Sequence, residues 1–232
     1  MNIQRLTHIK EGAIFIADSH YPHHGEEILT LLSTLPSSTP QIFLMGDIFD
    51  ILFCNAPYLM EYNQKLIDLI NVLSESIEIF YFEGNHDFNL QSIFPKVNVY
   101  SLDQQPQIFT LGNQRVALAH GDRYAMGWAY NLYTKIIRNQ TLMKFLPFKQ
   151  TLINRQLCIL KSKKICKKFR GFEDRIERIL PYYESDLIIE GHFHQGVIYK
   201  EYISLPSLVC QKEIAMVKDQ KVLFISFENM IQ

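Results

Sequence analysis

Five short apolar runs, each followed at once by Asp, Asn or His, constrain the fold of this chain more than any other feature. The runs span residues 13–17, 41–45, 77–82, 115–119 and 186–190. Continuous apolar runs of this length are typical of strands that are buried on both faces of a sheet. Apolar residues with helical spacing occupy 24–35 and 58–75, between the first three runs. This alternation predicts a layered α/β fold.

The residues directly after the five runs carry the chemistry. In chain order they read Asp18-Ser19-His20, Gly46-Asp47-Ile48-Phe49-Asp50, Gly84-Asn85-His86-Asp87, His120-Gly121-Asp122 and Gly191-His192-Phe193-His194. Ligand sites in open α/β sheets gather at the carboxyl ends of strands, and neighbouring glycines permit tight turns and close backbone approach. A single His-x-His pair is common by accident, and a single Asp near a turn is more often a cap. Five such strand ends in one chain predict one shared site.

These strand ends supply oxygen and imidazole donors but no thiolate, a combination that suits Mn²⁺, Fe or Zn²⁺. The candidate ligands are Asp18, His20, Asp47, Asn85, His120, His192 and His194. Seven donors are too many for one catalytic ion that keeps open positions, but they suit two ions that share a bridging carboxylate. Two ions about 3.5–4 Å apart generate a hydroxide nucleophile and hold a phosphoryl group for in-line attack. The pattern therefore predicts a two-metal phosphoesterase.

The order of these motifs over residues 18–194 resembles the calcineurin-like metallophosphoesterase superfamily. The resemblance implies a four-layer α/β/β/α sandwich rather than a plain doubly wound sheet. It also divides the ligands between the two ions, with Asp47 as the bridge. By motif, the first ion would bind Asp18, His20 and His194, and the second would bind Asn85, His120 and His192.

The same resemblance implies the catalytic groups. His86 would lie beside the scissile phosphate, where it would stabilise transition-state charge or protonate the leaving oxygen. Asp87 would orient the His86 imidazole, as carboxylates near a site commonly do. Asp50 and Asp122 remain open between two roles, orienting a ligand or capping a turn.

A basic segment lies between the fourth and fifth motifs. Residues 123–178 hold fourteen Lys or Arg and three acidic residues, although the net charge of the whole chain is −1. The segment is also rich in aromatic and aliphatic residues, and three helices are expected in it. It could bind a molecule with acyl chains and phosphates, or lie against an anionic membrane surface. Equally, its helices could pack on the sandwich with the lysines in solvent.

Several features are similar to UDP-2,3-diacylglucosamine pyrophosphatases of lipid A synthesis: the chain length, "FIADSH", "GDIFD", a tyrosine-rich stretch after "HGD", and the "FLPF" break. This resemblance implies one domain over 1–232, with a helical lid at 123–180. It implies hydrolysis of UDP-2,3-diacylglucosamine to 2,3-diacylglucosamine 1-phosphate and UMP, with Mn²⁺ as the usual ion. The expected substrate contacts are Asn85, His86, Asp122, Arg123, Tyr124, Lys161, Lys164 and Lys167. His86, Phe193 and Gln195 depart from the residues frequent in that family, so substrate contacts are expected to differ there.

Two other functions remain open. The chain could be a soluble phosphodiesterase or nucleotide phosphatase whose basic segment binds nucleotide or nucleic acid, or a non-catalytic scaffold, against which the complete ligand set argues. The favoured interpretation involves neither nucleic acid nor an obligate protein partner. Charged residues interrupt any early apolar run, no run approaches the roughly 20 residues of a membrane span, and the four cysteines include no Cys-x-x-Cys pair. We therefore expect a cytoplasmic protein with free thiols, peripheral on the inner face of the cytoplasmic membrane.

Overall fold

The fold is built from thirteen strands and seven α-helices within the residues that the computed structural model describes, which are 6–54, 56–124, 126–145, 149–162 and 164–230. The strands are β1 (Ile14–Ile16), β2 (Gln41–Leu44), β3 (Leu52–Phe53), β4 (Glu78–Phe82), β5 (Asp87–Phe88), β6 (Asn98–Tyr100), β7 (Gln107–Leu111), β8 (Gln114–Ala119), β9 (Leu187–Glu190), β10 (Val197–Tyr199), β11 (Tyr202–Ser204), β12 (Glu213–Lys218) and β13 (Lys221–Ser226). The helices are α1 (Glu27–Thr34), α2 (Pro57–Tyr62), α3 (Gln64–Leu73), α4 (Trp128–Arg138), α5 (Gln140–Phe145), α6 (Lys149–Ser162) and α7 (Phe172–Ile179). Each of the five apolar runs forms the predicted strand.

Two sheets face each other. The first has the order β13-β12-β1-β2-β4-β6, and the second has the order β10-β11-β9-β8-β7. Strands β1, β2, β4 and β6 are parallel, as are β8, β9 and β11. The parallel strands at the centre of each sheet are those followed by the polar motifs, so the motifs meet at one edge of the sandwich.

Aromatic rings fill the space between the sheets. Phe15, Phe43 and Phe80 lie on neighbouring strands of the first sheet and stack at centroid distances of 4.6 and 4.8 Å. Phe109 of the second sheet meets Phe43 edge-on at 5.5 Å. Each ring is almost fully buried, and burial of a Phe side chain stabilises a fold by about 2–3 kcal/mol. This shared core holds the two strand edges in register beneath the site.

Helices cover the outer face of each sheet. Helices α1 and α3 pack their apolar stripes, including Leu31 and Ile67, against the first sheet. Helix α7 packs Phe172, Ile176 and Ile179 against the second sheet. The four-layer α/β/β/α sandwich is therefore confirmed. Helix α7, which lies within the range 123–180 expected to be a lid, forms the fourth layer.

The helical segments are more divided than expected. The segment 58–75 forms two helices, α2 and α3, because the Asn63 amide between them donates to the main-chain oxygens of Leu59 at 2.8 Å and Ile51 at 3.0 Å. Such side-chain bonds compete with helix continuation. The region of three expected helices contains four. Asn139 separates α4 from α5, and its side-chain oxygen accepts the Leu142 N–H at 3.0 Å, as an N-cap does,.

Two further expectations concern the described chain. Within it, no helix combines the length and apolarity needed to span a bilayer. The expectation of free thiols is wrong for Cys166 and Cys210, which form a disulfide across 44 residues of sequence. The fold brings the segment after α6 back against the turn after β11, which no spacing rule reveals. Residues 146–148 of the predicted "FLPF" break, and Lys163, lie outside the described residues.

Candidate metal centre

The predicted ligands lie in the loops that leave β1, β2, β4, β8 and β9. Five of the seven adopt the left-handed backbone region, with φ between 47° and 65°; they are Asp18, His20, Asp47, His192 and His194. This conformation costs a non-glycine residue about 1–2 kcal/mol. Strain of this kind persists where surrounding structure enforces it, and it clusters at functional sites. The loops therefore hold these side chains at a cost in stability, which points to a site.

The first donor group contains Asp18, His20 and His194, whose donor atoms all lie within 4.8 Å of one another. His194 Nε2 is 3.2 Å from Asp18 Oδ1 and 3.5 Å from His20 Nε2. The backbone N–H of His192 also donates to Asp18 Oδ1 at 3.2 Å. The end of β9 is thereby tied to the end of β1, across the two sheets. The motif pattern assigns these three residues to the first ion, together with Asp47, which lies in the second donor group.

The second donor group contains Asp47, His120 and His192 within the same limit. His120 Nε2 is 3.1 Å from His192 Nδ1, 3.6 Å from Asp47 Oδ2 and 3.5 Å from Asn85 Oδ1. His120 Nδ1 is 2.8 Å from the main-chain oxygen of Met45, which can only accept a hydrogen bond. Nδ1 therefore carries a proton, and Nε2 points into the group, where it would bind an ion once deprotonated.

The chemistry of these atoms fits two divalent cations. Imidazole nitrogens and carboxylate oxygens converge on each group. With the rings deprotonated, their lone pairs would face the carboxylate oxygens, and a cation between them would relieve the repulsion. Asp18 Oδ2 is buried without a hydrogen-bond partner among the described residues. Burial lowers the pKa of His20 and His192 well below the usual range, which keeps both rings neutral and able to bind metal,.

The electrostatics around Asp47 favour its anionic form. Burial would raise the pKa of the Asp47 carboxyl, but the imidazoles of His86 and His120 hold the pKa well below its usual range. Its Oδ1 also accepts the backbone N–H of His86 at 2.9 Å. Asp47 is therefore a charged carboxylate whose other oxygen faces the ligands of the second group.

Two glycines are required by close approach to the ligands. A Cβ on Gly84 would lie 2.3 Å from Asp47 Oδ1, and a Cβ on Gly46 would lie 2.3 Å from His120 Nδ1. Gly46 also has φ +84°, which disfavours any side chain,. The Gly-Asp and Gly-Asn pairs of the sequence thus carry glycine because a larger residue there would clash with a ligand side chain.

His86 lies in the site as expected, but Asp87 has a different role from the one expected. His86 Nε2 is 4.0 Å from Asp47 Oδ2, and its Nδ1 donates to the main-chain oxygen of Asp50 at 2.7 Å. The fully buried Asp87 carboxylate accepts the backbone N–H groups of Asp47, Ile48, Phe49 and Gly84 and the hydroxyl of Tyr81. Asp87 therefore shapes the loop that carries Asp47, and the Asp50 carbonyl orients His86.

The two acidic residues left open by sequence have distinct surroundings. Asp50 accepts the backbone N–H and the ring Nδ1 of His23, at 3.0 and 2.8 Å. Asp122 accepts the Tyr130 hydroxyl at 2.9 Å, and its Oδ2 lies 3.8 Å from an Arg138 nitrogen. Asp50 thus stabilises the loop after β1, and Asp122 connects the end of β8 to α4.

The chain is similar to known proteins over most of its length. The calcineurin-like phosphoesterase family matches residues 13–196. The chain belongs to this family. Proteins named UDP-2,3-diacylglucosamine hydrolase are 25% identical in Coxiella burnetii over 210 residues (80% of this chain, 82% of that protein) and 27% identical in Histophilus somni over 202 residues (80% and 85%). Among solved structures, a dimetal phosphatase from Danio rerio matches with 14% identity and a TM-score of 0.47, covering 94% of this chain and 99% of that one.

The phosphoesterase site opens into a cavity of about 560 Å³. Its lining includes the site residues His20, Asp47, Asn85, His86, His192 and His194, together with the basic residues Lys167, Lys168 and Arg170. Of the lysines predicted to bind substrate, Lys167 therefore lies at the site, whereas Lys161 and Lys164 are exposed and outside the residues lining this cavity.

Arg123 and Tyr124, also predicted to bind substrate, lie elsewhere. They line a separate polar cavity of about 550 Å³. The Arg123 guanidinium donates to the main-chain oxygens of Leu102 and Asp103, at 3.3 and 3.1 Å, and Tyr124 stacks on Tyr182 at 4.9 Å. These contacts fit a structural role at the end of β8.

Sequence reasoning missed two arginines of this phosphoesterase. Arg138, in the last turn of α4, donates to Glu83 Oε2 at 3.1 Å and to the main-chain oxygen of Gly84 at 2.6 Å. The buried Arg175 of α7 donates to the main-chain oxygen of Gly121 at 2.9 Å and pairs with Glu190. Both support loops that carry ligands. Their partners lie 15–55 residues away in sequence, so no local pattern announces them.

Proposed function

We propose that this phosphoesterase hydrolyses the pyrophosphate bond of UDP-2,3-diacylglucosamine to 2,3-diacylglucosamine 1-phosphate and UMP, with two Mn²⁺ ions. The names of the curated relatives support this substrate class. The observation that carries the proposal is a pair of cavities that share Asn85 and His86 in their walls; one contains three basic residues in its lining, and the other is lined mainly by apolar side chains.

The apolar cavity, of about 520 Å³, lies between the lid helices and the β3–β5 ladder. Phe53 and Phe88 contribute from the ladder, Tyr133 and Ile137 from α4, and Ile159 from α6. A cavity of this size, lined mainly by apolar side chains, suits aliphatic chains. Because it meets the metal cavity at Asn85 and His86, acyl chains bound there would place an attached phosphate at the metal centre.

The basic cavity would receive the pyrophosphate. Lys167, Lys168 and Arg170 line it together with three of the ligand histidines, and such cations form charge-assisted hydrogen bonds with phosphate oxygens. A nucleotide phosphatase substrate would fill this cavity but leave the apolar cavity empty. A substrate that joins acyl chains to phosphates uses both.

The residues divide the chemistry as follows. Asp18, His20 and His194 would hold one ion, and Asn85, His120 and His192 the other, with Asp47 between them. When bound, these ions supply a hydroxide nucleophile at neutral pH and positive charge for the phosphoryl oxygens. Hydrolysis breaks one phosphoanhydride P–O bond and forms one P–O bond to the oxygen of water. His86, oriented through its Nδ1, presents Nε2 to the cavity and stabilises or protonates the leaving phosphate oxygen.

Peripheral membrane association is part of the proposal. The outer surface of α4 and α5 exposes Trp128 (79%), Phe145 (75%), Leu132 and Leu142, with Lys135 and Lys144 nearby in sequence. Exposed aromatic and aliphatic residues beside lysines suit an anionic bilayer surface. Flotation with vesicles that contain anionic phospholipid should recover the protein, and Trp128→Ser with Phe145→Ser should reduce that recovery. Equal recovery of wild type and variant would contradict this part.

The central test is release of UMP. Purified protein loaded with Mn²⁺ is incubated with UDP-2,3-diacylglucosamine in detergent micelles, and UMP is quantified by chromatography. Bis(p-nitrophenyl) phosphate serves as a generic phosphodiester, and Asp47→Asn is the inactive control. Cleavage of the generic diester without release of UMP from the lipid would refute the substrate while leaving the phosphoesterase activity intact.

A further inference from the structure

The part of the basic region that lines the metal cavity is residues 164–170, and from here on "the basic segment" means these residues only. They have neither helix nor strand over most of their length. The segment nevertheless contributes Lys167, Lys168 and Arg170 to the wall of the metal cavity. All three residues are exposed to solvent. Since no regular secondary structure fixes this segment, tertiary contacts must set the distance of its charges from the metal centre.

Two tertiary connections hold the segment: the Cys166–Cys210 disulfide, which ties it to the turn after β11, and hydrogen bonds from Gln195, which tie it to the metal loop. The Gln195 side-chain oxygen accepts the backbone N–H of Phe169 at 3.1 Å, and its amide nitrogen donates to the main-chain oxygen of Lys167 at 3.2 Å. The amide nitrogen also donates to the main-chain oxygen of Phe193. One amide thus holds the backbone on both sides of Lys168. Because Gln195 directly follows the ligand His194, it connects the segment to the metal loop itself.

Phe193, between the two ligand histidines, supports the same contact. Its ring meets Phe169 edge-on at 5.4 Å and Phe172 of α7 at 5.6 Å. The buried Arg175 guanidinium lies 3.9 Å from the centre of the Phe193 ring. The turn that carries Gln195 is therefore fixed to the fourth layer of the sandwich, which makes it a rigid anchor.

We propose that Gln195 is a positioning residue that holds the basic segment over the metal centre, so that Lys167, Lys168 and Arg170 bind the pyrophosphate-bearing part of the substrate. The inference rests on the proposed function for the identity of that anion. All the hydrogen bonds given above for Gln195 go to backbone atoms, so Gln195 acts through the segment and not on the substrate.

The test measures UDP binding to the Mn²⁺-loaded protein by calorimetry, at low and high salt. Gln195→Ala should weaken UDP binding about tenfold, the loss of roughly one charge-assisted contact, and should reduce its salt dependence. Gln195→Glu keeps the acceptor for the Phe169 N–H but loses the donor to Lys167, and should weaken binding at least as much. Gln150→Ala, an exposed glutamine on α6, is the matched control and should bind UDP like the wild type.

A double-mutant cycle separates positioning from a general effect on the fold. With Lys167, Lys168 and Arg170 all replaced by Ala, Gln195→Ala should cause no further loss of UDP affinity. Metal content and thermal unfolding are measured for each protein, and if Gln195→Ala does not fold, Gln195→Glu decides. Unchanged UDP affinity in a folded Gln195 variant, or an undiminished loss in the neutralised background, would overturn the inference.

Turnover gives an independent comparison. With UDP-2,3-diacylglucosamine, Gln195→Ala should raise KM while kcat stays within about twofold, since ground-state and transition-state binding are lost together. UDP binding does not require turnover. If the wild type fails to release UMP, the proposed function fails and the UDP comparison still decides the role of Gln195.

Discussion

Arg138 of α4 donates to the main-chain oxygen of Gly84 at 2.6 Å and so connects α4 to the loop that carries Asn85 and His86. The same guanidinium pairs with Glu83, whose side chain is 4% exposed. The contact joins α4, which lines the apolar cavity, to the loop that lines both the apolar cavity and the metal cavity. This contact makes α4 part of the support for the candidate site.

Arg138→Met should destabilise the protein by about 3–5 kcal/mol at neutral pH, because it leaves Glu83 as an uncompensated buried charge. Burial already raises the pKa of Glu83, although Arg138 opposes this. A carboxyl whose folded-state pKa exceeds its unfolded value stabilises the fold at low pH, and this contribution is lost as pH rises through the folded pKa. The deficit of the variant relative to wild type should therefore be larger at pH 8 than at pH 5.

Chemical denaturation at both pH values measures this deficit. Arg178→Met, at an exposed position on α7, is the matched control and should change the free energy of unfolding little. Glu83→Gln combined with Arg138→Met should abolish the pH dependence of the deficit. An equal deficit at both pH values in the single variant would contradict the role assigned to Glu83.

Asp47→Asn should lower phosphoesterase turnover by at least about 100-fold, the usual scale for removing one preorganised electrostatic group at an active site. The amide keeps an oxygen for the His86 N–H but removes the charge that faces the second donor group. Elemental analysis should find less than two metal ions per chain. Asp68→Asn, an exposed site on α3, should retain both metal and activity; near wild-type turnover of Asp47→Asn would remove the bridging role.

His86→Gln should lower kcat by about 10²–10⁴-fold, the range for loss of a general acid–base group. Metal content should stay at the wild-type level, because His86 lies outside both donor groups. His8→Gln, a surface substitution, is the matched control. Loss of metal from His86→Gln in parallel with activity would show that His86 serves the metal centre and not the leaving group.

Reduction of the Cys166–Cys210 disulfide should lower the free energy of unfolding by about 2–4 kcal/mol, because the bond restricts a 44-residue separation in the unfolded chain,. Thermal unfolding with and without dithiothreitol measures the change, and Cys166→Ser should abolish the sensitivity. Cys158→Ser removes an exposed free thiol, and this variant should remain as sensitive to dithiothreitol as the wild type. A wild type that unfolds identically under both conditions would contradict a stabilising role for the disulfide.

The sequence by itself determined the five strands, because each is a local apolar run closed by glycine and a polar residue. It also predicted the candidate ligands, since the carboxyl ends of neighbouring parallel strands lie at one edge of a sheet. The four-layer arrangement was predicted from the family resemblance and not from the strand pattern. These features depend on short-range periodicity and on the residues that form turns, and both can be recognised in the sequence alone.

Only the tertiary structure decided which groups form hydrogen bonds with the side chains that support the site. Asp87 accepts backbone N–H groups of the Asp47 loop and leaves His86 to the Asp50 carbonyl. The side chain of Gln195 donates to the main-chain oxygen of Lys167, 28 residues earlier in the sequence. Arg138 donates to that of Gly84, 54 residues earlier. Any arginine or amide in a sequence has many potential acceptors. The packed sandwich selects one of them, because it alone brings distant backbone groups within hydrogen-bond distance at the required angle.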